Sequence, residues 1–296
     1  MNWRPRAAAG PFIANPARRR KSLRARRGID YGGPFQHPLR RMRALVLSAG
    51  QGSRLLPLTE DRPKCLLPLD SCCLLEWQVR ELLRGGIDDI VVVVGFRAAA
   101  VEELLAGLRR TGVSIRTVFN PFYGVADNLG SCWLARQEMD RDFVVVNGDT
   151  VFEAAILRRL LDSPPAPITV TIDRKPTYDA DDMKVRLDGT RLVEIGKTLP
   201  LDRVDGESIG MLRFRGDGPR LFADALDRAM RTADGLRWWY LKVIGTLAES
   251  GCVETVSIEG LEWGEVDYPE DLARVQRMVE GWVAAEAAAT RLRAAP

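Results

Sequence analysis

Three short and almost wholly apolar runs, residues 44–48, 90–94 and 142–146, limit what this chain can fold into. A strand points successive side chains to opposite faces, so a run that is apolar at every position must be covered on both sides. Between and after these runs the spacing turns helical. Residues 71–84 carry Leu74, Leu75, Val79, Leu82 and Leu83 on one side and stop at Gly85-Gly86. Further helices are predicted over 98–110, 128–139 and 152–161, with another strand over 113–119. Buried strands spaced by helices predict an α/β fold, a doubly wound and mainly parallel sheet whose ligands sit at the carboxyl ends of its strands.

Past Pro167 the pattern changes. Residues 168–172, 184–187, 191–195 and 208–214 read as strands with short turns such as Asp188-Gly189, which predicts an antiparallel extension covering the site. Helices over 218–231 and 236–250, a strand over 252–258 and a last helix after Asp267 complete this part. With 46% hydrophobic residues, 296 residues can bury one large core. We divide the chain into a leader (1–41), a domain (42–280), and the end of the C-terminal helix with a tail (281–296).

Charge separates the leader from the rest. Residues 1–41 hold eleven Lys or Arg and one acid, +10, against +3 for the whole chain, so residues 42–296 carry −7. The leader reads as disordered and dispensable, with Met42 directly before the first strand as an alternative start; its other reading is an arm for nucleic acid or anionic membrane. An acidic domain argues against a nucleic-acid partner. No run is long and apolar enough for a membrane span, and no signal peptide is visible, so membrane insertion is not expected and the cytoplasm is the expected compartment. Five cysteines without CxxC pairing, mostly in apolar stretches, read as reduced thiols. The single histidine, His37, lies in the leader, which removes the usual candidate for acid-base chemistry.

Chemistry enters directly after the first run, at Ser48-Ala49-Gly50-Gln51-Gly52-Ser53-Arg54. Glycines at a strand end let backbone amides approach a phosphate, and an arginine adds a charged fork to the same anion. The spacing is neither GxGxxG nor the GK[ST] ending of a P-loop. Ten residues on, Pro63 restricts the backbone beside Lys64. Together SAGQGSRL, the Pro57 to Thr59 step and PKCLLPL resemble the signature of nucleotidyltransferases that join a nucleoside triphosphate to a phosphorylated small molecule. Ser48 stands where alanine is usual, and Cys65 where proline is common.

The resemblance runs from residue 43 to about 280, and it implies a Rossmann-like sheet of the nucleotide-diphospho-sugar transferase type. It implies that Gly50, Gly52 and Arg54 hold the triphosphate, that Lys64 neutralises the reacting phosphates, and that Ser48, Ala49 and Ser53 belong to the same cradle. Asn147-Gly148-Asp149 looks like the family's magnesium aspartate and Glu265-Val266-Asp267 like its second carboxylate, so Asp149 and Asp267 are the expected Mg²⁺ ligands. Helix capping is the plain alternative for both. Direct attack of a phosphate oxygen on the α-phosphorus would then make Lys64, Arg54, Asp149 and Asp267 the catalytic set.

Residues 119–123 through 128–131 are similar to the phosphocholine, inositol-phosphate and phosphonate cytidylyltransferases, residues 182–185 with 191–197 most resemble the inositol-phosphate branch, and residues 206–210 with 265–267 resemble that wider cytidylyl group. That implies CTP as donor and a small phosphorylated acceptor, with Asn128 and Ser131 lining the nucleotide pocket and Lys184, Lys197 and Glu207 facing the acceptor. A hexose-1-phosphate nucleotidylyltransferase is the alternative enzyme, and a catalytically silent nucleotide-binding regulatory subunit is the alternative from another class. Homo-oligomerisation stays open. Trp133, Trp238, Trp239, Tyr240 and Trp263 could cage a quaternary ammonium, but helical spacings of Trp238 with Leu241 and Trp239 with Val243 favour packing in the core.

Overall fold

The computed structural model describes residues 42–294, so the leader lies outside the described residues. The chain runs β1 (Arg43–Ser48), a ribbon of β2 (Pro68–Leu69) and β3 (Cys72–Cys73), α1 (Leu74–Arg84), β4 (Asp89–Val94), α2 (Ala98–Leu108), β5 (Ser114–Phe119), α3 (Asn128–Leu134), β6 (Phe143–Asn147), β7 (Thr150–Phe152) and α4 (Ala154–Asp162). It continues with β8 (Ile168–Asp173), β9 (Lys184–Asp188), β10 (Arg191–Gly196), β11 (Gly206–Phe214), α5 (Gly218–Met230), α6 (Tyr240–Ala248), β12 (Val253–Ser257), β13 (Trp263–Glu265) and α7 (Pro269–Ala294).

The three apolar runs become β1, β4 and β6, which lie side by side with β5 in the parallel order β5-β4-β1-β6. Their alternation divides two cores. Ala44, Val46, Ile90, Val92, Val144 and Val146 pack with Leu75, Val79 and Leu82 of α1, Val101 of α2 and Leu157 of α4. Leu45, Val91 and Val145 point the other way, to Leu129 and Cys132 of α3, Phe222 of α5 and Ile244 of α6. Helices therefore cover both faces, and each fully buried Val or Leu contributes roughly 1.5–3 kcal/mol. The carboxyl ends of β1 and β6 then open onto the loops that carry the chemistry.

Beyond β6 the sheet is mixed. β11 runs antiparallel to both β6 and β8, β12 lies parallel to β8, and the β9–β10 hairpin follows. β9 also pairs with β11, so β11, β8, β12, β10 and β9 close on one another. Over the nine-stranded sheet four neighbour pairs are parallel and five antiparallel. The α/β class stands and the expected antiparallel extension is present in β8, β9, β10 and β11, but with four parallel and five antiparallel pairs the sheet is mixed and not mainly parallel. The reason lies in β11, whose register shifts between Ser208 and Leu212. Gly210 there has φ +72°, and a Cβ on it would lie 2.4 Å from Asn147 Nδ2. That bend lets one strand serve β9 at its start and β6 at its end.

Several predicted helices start late or stop early. Cys72 and Cys73 pair with Leu69 and Pro68 as a ribbon before α1 begins at Leu74. The helix expected over 128–139 ends at Leu134 and tightens into a 3₁₀ turn over Ala135–Glu138. α6 begins only at Tyr240, so Trp238 and Trp239 precede it and the helical spacing argued for them does not apply. Among the described residues no helix is long and apolar enough to cross a membrane.

Candidate active site

β1 ends at Ser48, and the glycine turn follows at once. Gly52 takes a left-handed conformation (φ +80°) before a single 3₁₀ turn over Ser53–Leu55. A Cβ on Gly52 would lie 2.9 Å from Lys64 Cβ, so the glycine is what allows the turn and the lysine to touch. Lys64 N also donates to Gln51 O at 3.2 Å. Thr59, wholly buried, ties the turn down by donating its hydroxyl to Gly52 O at 2.8 Å. The Pro57 to Thr59 step is thus a brace for the loop. Ala49 is buried, with its carbonyl accepting from Phe96 N at 2.9 Å, whereas Gly50, Ser53 and Arg54 are exposed.

Lys64 meets two carboxylates that lie far away in the chain. Its Nζ donates to Asp149 Oδ2 at 2.8 Å and to Asp267 Oδ1 at 2.6 Å. Burial by itself would lower the lysine pKa, but the Asp149 and Asp267 charges outweigh it, and the net shift is upward, so the ammonium stays charged. Arg54 reaches Asp267 Oδ2 at 3.3 Å and lies over the Tyr268 ring at 5.5 Å. The four expected catalytic residues are therefore brought together.

Neither aspartate is spent on a helix cap. Asp149 precedes β7, and α4 starts five residues later behind Glu153. At α7, Asp271 accepts from the amides of Asp267 and Tyr268 at 3.1 and 2.9 Å, which leaves the Asp267 carboxylate free for Lys64. Antiparallel pairing of β13 with β7 sets Glu265 against Thr150, and Val266 N donates to Asp149 O at 3.2 Å. This seam joins the two acidic loops.

The same seam brings in an acid that residue-by-residue reading passes over. Asp149, Glu265 and Asp267 offer carboxylate oxygens within 4.8 Å of one another. Burial, then the neighbouring Asp149 and Asp267 charges, hold the Glu265 carboxyl well above the usual carboxylate range. Asp149 Oδ1 is buried without a hydrogen-bond partner. Three converging carboxylates with one unpaired buried oxygen fit a hard divalent cation. The signal for Glu265 was its position two residues before Asp267, which places both on one face of an extended chain.

Two cavities flank this cluster. One of about 170 Å³ lies between Ser48, Gly50, Gly52, Lys64, Gly148 and Asp149. The other, about 650 Å³, is lined by Glu207, Lys175, Trp263, Glu265, Asp267 and Tyr268 among others. Glu207 is buried, and burial pushes its carboxyl up to about 7 although Lys175 lies 2.9 Å away. Lys175 was not foreseen; no motif marks it, and only the sheet brings it opposite Glu207.

Lys184 is a correction. It is 2% exposed, and its ammonium donates to the carbonyls of Asp179, Asp182 and Lys197, so it clamps its own loops instead of facing an acceptor. Lys197 pairs with Asp181 at 3.3 Å and covers the Trp239 ring at 4.7 Å. Asn128 accepts from Tyr240 N at 2.9 Å, and buried Ser131 pairs with Asn120 at 3.0 Å. Both hold α3 in place and line neither cavity.

The aromatic residues form no cage. Tyr240 is wholly buried, Arg136 covers Trp133 at 4.1 Å, Lys242 covers Trp238 at 3.7 Å, and Trp263 alone of the set lines the larger cavity. Intramolecular cations already occupy three of the rings. The five cysteines are free, and burial pushes the Cys65 thiol up to about 12, which keeps it protonated.

Residues 43–182 match the family described as nucleotidyl transferase. The chain is 37% identical over 246 residues to a bifunctional IPC transferase and DIPP synthase of Rubrobacter xylanophilus, covering 81% of this chain and 52% of that protein. It is 34% identical over 241 residues to CMP-5'-(3-aminopropyl)phosphonate synthase of Streptomyces rubellomurinus, covering 78% and 37%. The chain thus spans about half or less of these relatives' length. Among solved structures, the inositol-1-phosphate CTP transferase from T. maritima superposes with a TM-score of 0.69 at 24% identity, over 81% of this chain and 96% of that one, which shows a shared fold.

Proposed function

We propose that this chain, whose residues 43–182 match the nucleotidyl transferase family, is a Mg²⁺-dependent cytidylyltransferase that moves CMP from CTP to a small phosphorylated alcohol or a phosphonate and releases pyrophosphate. One observation carries the reading. Lys64, packed on Gly52, bridges Asp149 and Asp267 from 85 and 203 residues away. The choice of CTP is supported by relatives named for an IPC transferase and a CMP-phosphonate synthase. The domain is proposed to extend over residues 42–280.

In the reaction, an acceptor phosphate oxygen forms a bond to the α-phosphorus of CTP, and the bond to the bridging oxygen of the β-phosphate breaks. The glycine turn with Gly50 and Gly52 would cradle the triphosphate, and Arg54 and Lys64 would neutralise charge that grows on it. Asp149 and Asp267, with Glu265, would hold the divalent cation, which when bound supplies charge neutralisation at the phosphates. Glu207 and Lys175 line the cavity on the far side of these carboxylates, where the acceptor would lie.

A pyrophosphate-release screen tests this. CTP, UTP, dTTP, ATP and GTP are each paired with phosphocholine, inositol 1-phosphate, aminoethylphosphonate and glucose 1-phosphate in the presence of Mg²⁺. Release with CTP and one of the first three acceptors is expected. Release only with glucose 1-phosphate and another nucleotide would replace this reading by the hexose-1-phosphate enzyme.

A further inference from the structure

The aspartate loop between β6 and β7 carries Asp149, and its backbone is held from the side of α1. Gln78 Nε2 donates to Asn147 O and to Thr150 O, both at 2.8 Å. One amide group thus brackets the Gly148-Asp149 pair on both sides. Trp77 Nε1 donates to Phe152 O at 2.9 Å, and Glu81 Oε2 accepts from Ala154 N at 2.8 Å. Three side chains within little more than one helical turn therefore pin residues 147–154, and of these three Gln78 is the one that holds the backbone on either side of Asp149.

Gln78 is 0% exposed, and its Oε1 is buried without a partner. An amide buried with its oxygen unsatisfied is unfavourable for folding alone, since Met or Leu would fill the same space without that penalty. The two donated bonds give the amide its use. They act on a loop already packed close to β1, where a Cβ on Gly148 would stand 2.3 Å from Leu47 O.

We propose that Gln78 is a positioning residue that sets the Asp149 carboxylate for divalent-cation binding. The inference rests on the assignment of Asp149 as a cation ligand, and outer partners of this kind change metal affinity by roughly 10–100-fold when removed. Losing the grip would let the Asp149 carboxylate shift relative to Glu265 and Asp267. The loss would show in cation affinity and in turnover, with little change in the KM for CTP.

The test is direct titration of the full chain with Mn²⁺ by calorimetry, comparing wild type, Gln78→Met and Trp77→Phe. Gln78→Met is expected to weaken Mn²⁺ binding about 10-fold. Trp77→Phe removes the neighbouring bond to Phe152 O and serves as the structural control; it is expected to lower the melting temperature without changing Mn²⁺ affinity. Equal affinity in Gln78→Met and wild type, an equal loss in both variants, or no Mn²⁺ binding by wild type would each overturn the proposal. If wild type binds Mn²⁺ and Gln78→Met does so more weakly, yet no nucleotide releases pyrophosphate, the positioning role stands and the proposed reaction falls.

Discussion

Replacing Lys64 by Met keeps the length of the side chain and removes one charge from the centre of the site. Two effects follow, and the geometry gives each a size. For turnover, Lys64 is the cation held against both acidic loops, and losing one such charge-stabilising group costs about 10²–10³-fold, or about 2.7–4 kcal/mol. For stability, the side chains of Lys64, Asp149 and Asp267 are 13%, 23% and 29% exposed. That lies between an exposed pair, worth about 0–1 kcal/mol, and a buried pair broken on one side, about 3–5 kcal/mol. A loss of about 2 kcal/mol is expected, or roughly 4–8 °C in melting temperature for a chain of this size. Because the variant leaves Asp149, Glu265 and Asp267 without a cation, added Mg²⁺ should raise its melting temperature more than that of wild type. Steady-state pyrophosphate release and thermal melts with and without Mg²⁺ measure both effects. Turnover within threefold of wild type, or a melting temperature indifferent to the substitution, would refute the reasoning.

Glu207, with its carboxyl pushed up to about 7 by burial, binds its proton more tightly in the folded than in the unfolded state. Its contribution is therefore present at low pH and is lost as pH rises through about 7, a change on the order of 3 kcal/mol. Glu207→Gln should flatten the fall in melting temperature between pH 5 and pH 8; an unchanged profile would contradict this. Gly148→Ala places a Cβ 2.3 Å from Leu47 O, so the aspartate loop must shift; a stability loss of about 1–3 kcal/mol with a larger fractional loss of turnover is expected from melts and initial rates. Tyr240→Phe removes the bond from the tyrosine hydroxyl to Asn147 Oδ1 at 3.1 Å; a loss of about 1 kcal/mol is expected in denaturant unfolding, and a loss above 3 kcal/mol would mean that Tyr240 does more than this bond.

The parallel half of the sheet was legible because β1, β4 and β6 are apolar at nearly every position, and only a doubly covered strand needs that. The strands of the mixed half were legible as well, but not their order. Whether β9 closes onto β11 depends on a bulge and on Gly210, and a local pattern does not say which strands a nine-residue strand will touch. Lys64, Asp149 and Asp267 were legible because each sits in a short motif, the aspartates just past the ends of β6 and β13 and Lys64 behind Pro63 at the start of a 3₁₀ turn. Glu265 lay in plain view beside Asp267, yet its part emerges only from β13 pairing with β7. Lys184 misled, since a lysine in a matching motif reads the same whether its ammonium faces a ligand or three backbone carbonyls. Trp238 and Trp239 misled for a local reason, the late start of α6 at Tyr240.

The central claim is transfer of a cytidylyl group at the Lys64 bridge. CTP labelled at the α-phosphorus tests it most directly, incubated with Mg²⁺ and each phosphorylated acceptor in turn. The account predicts that the label leaves CTP for a CDP-linked product with one unlabelled pyrophosphate released per transfer, and that Asp149→Ala abolishes most of it. Label that reaches no acceptor, or transfer that persists at near-normal rate in Asp149→Ala, would contradict it.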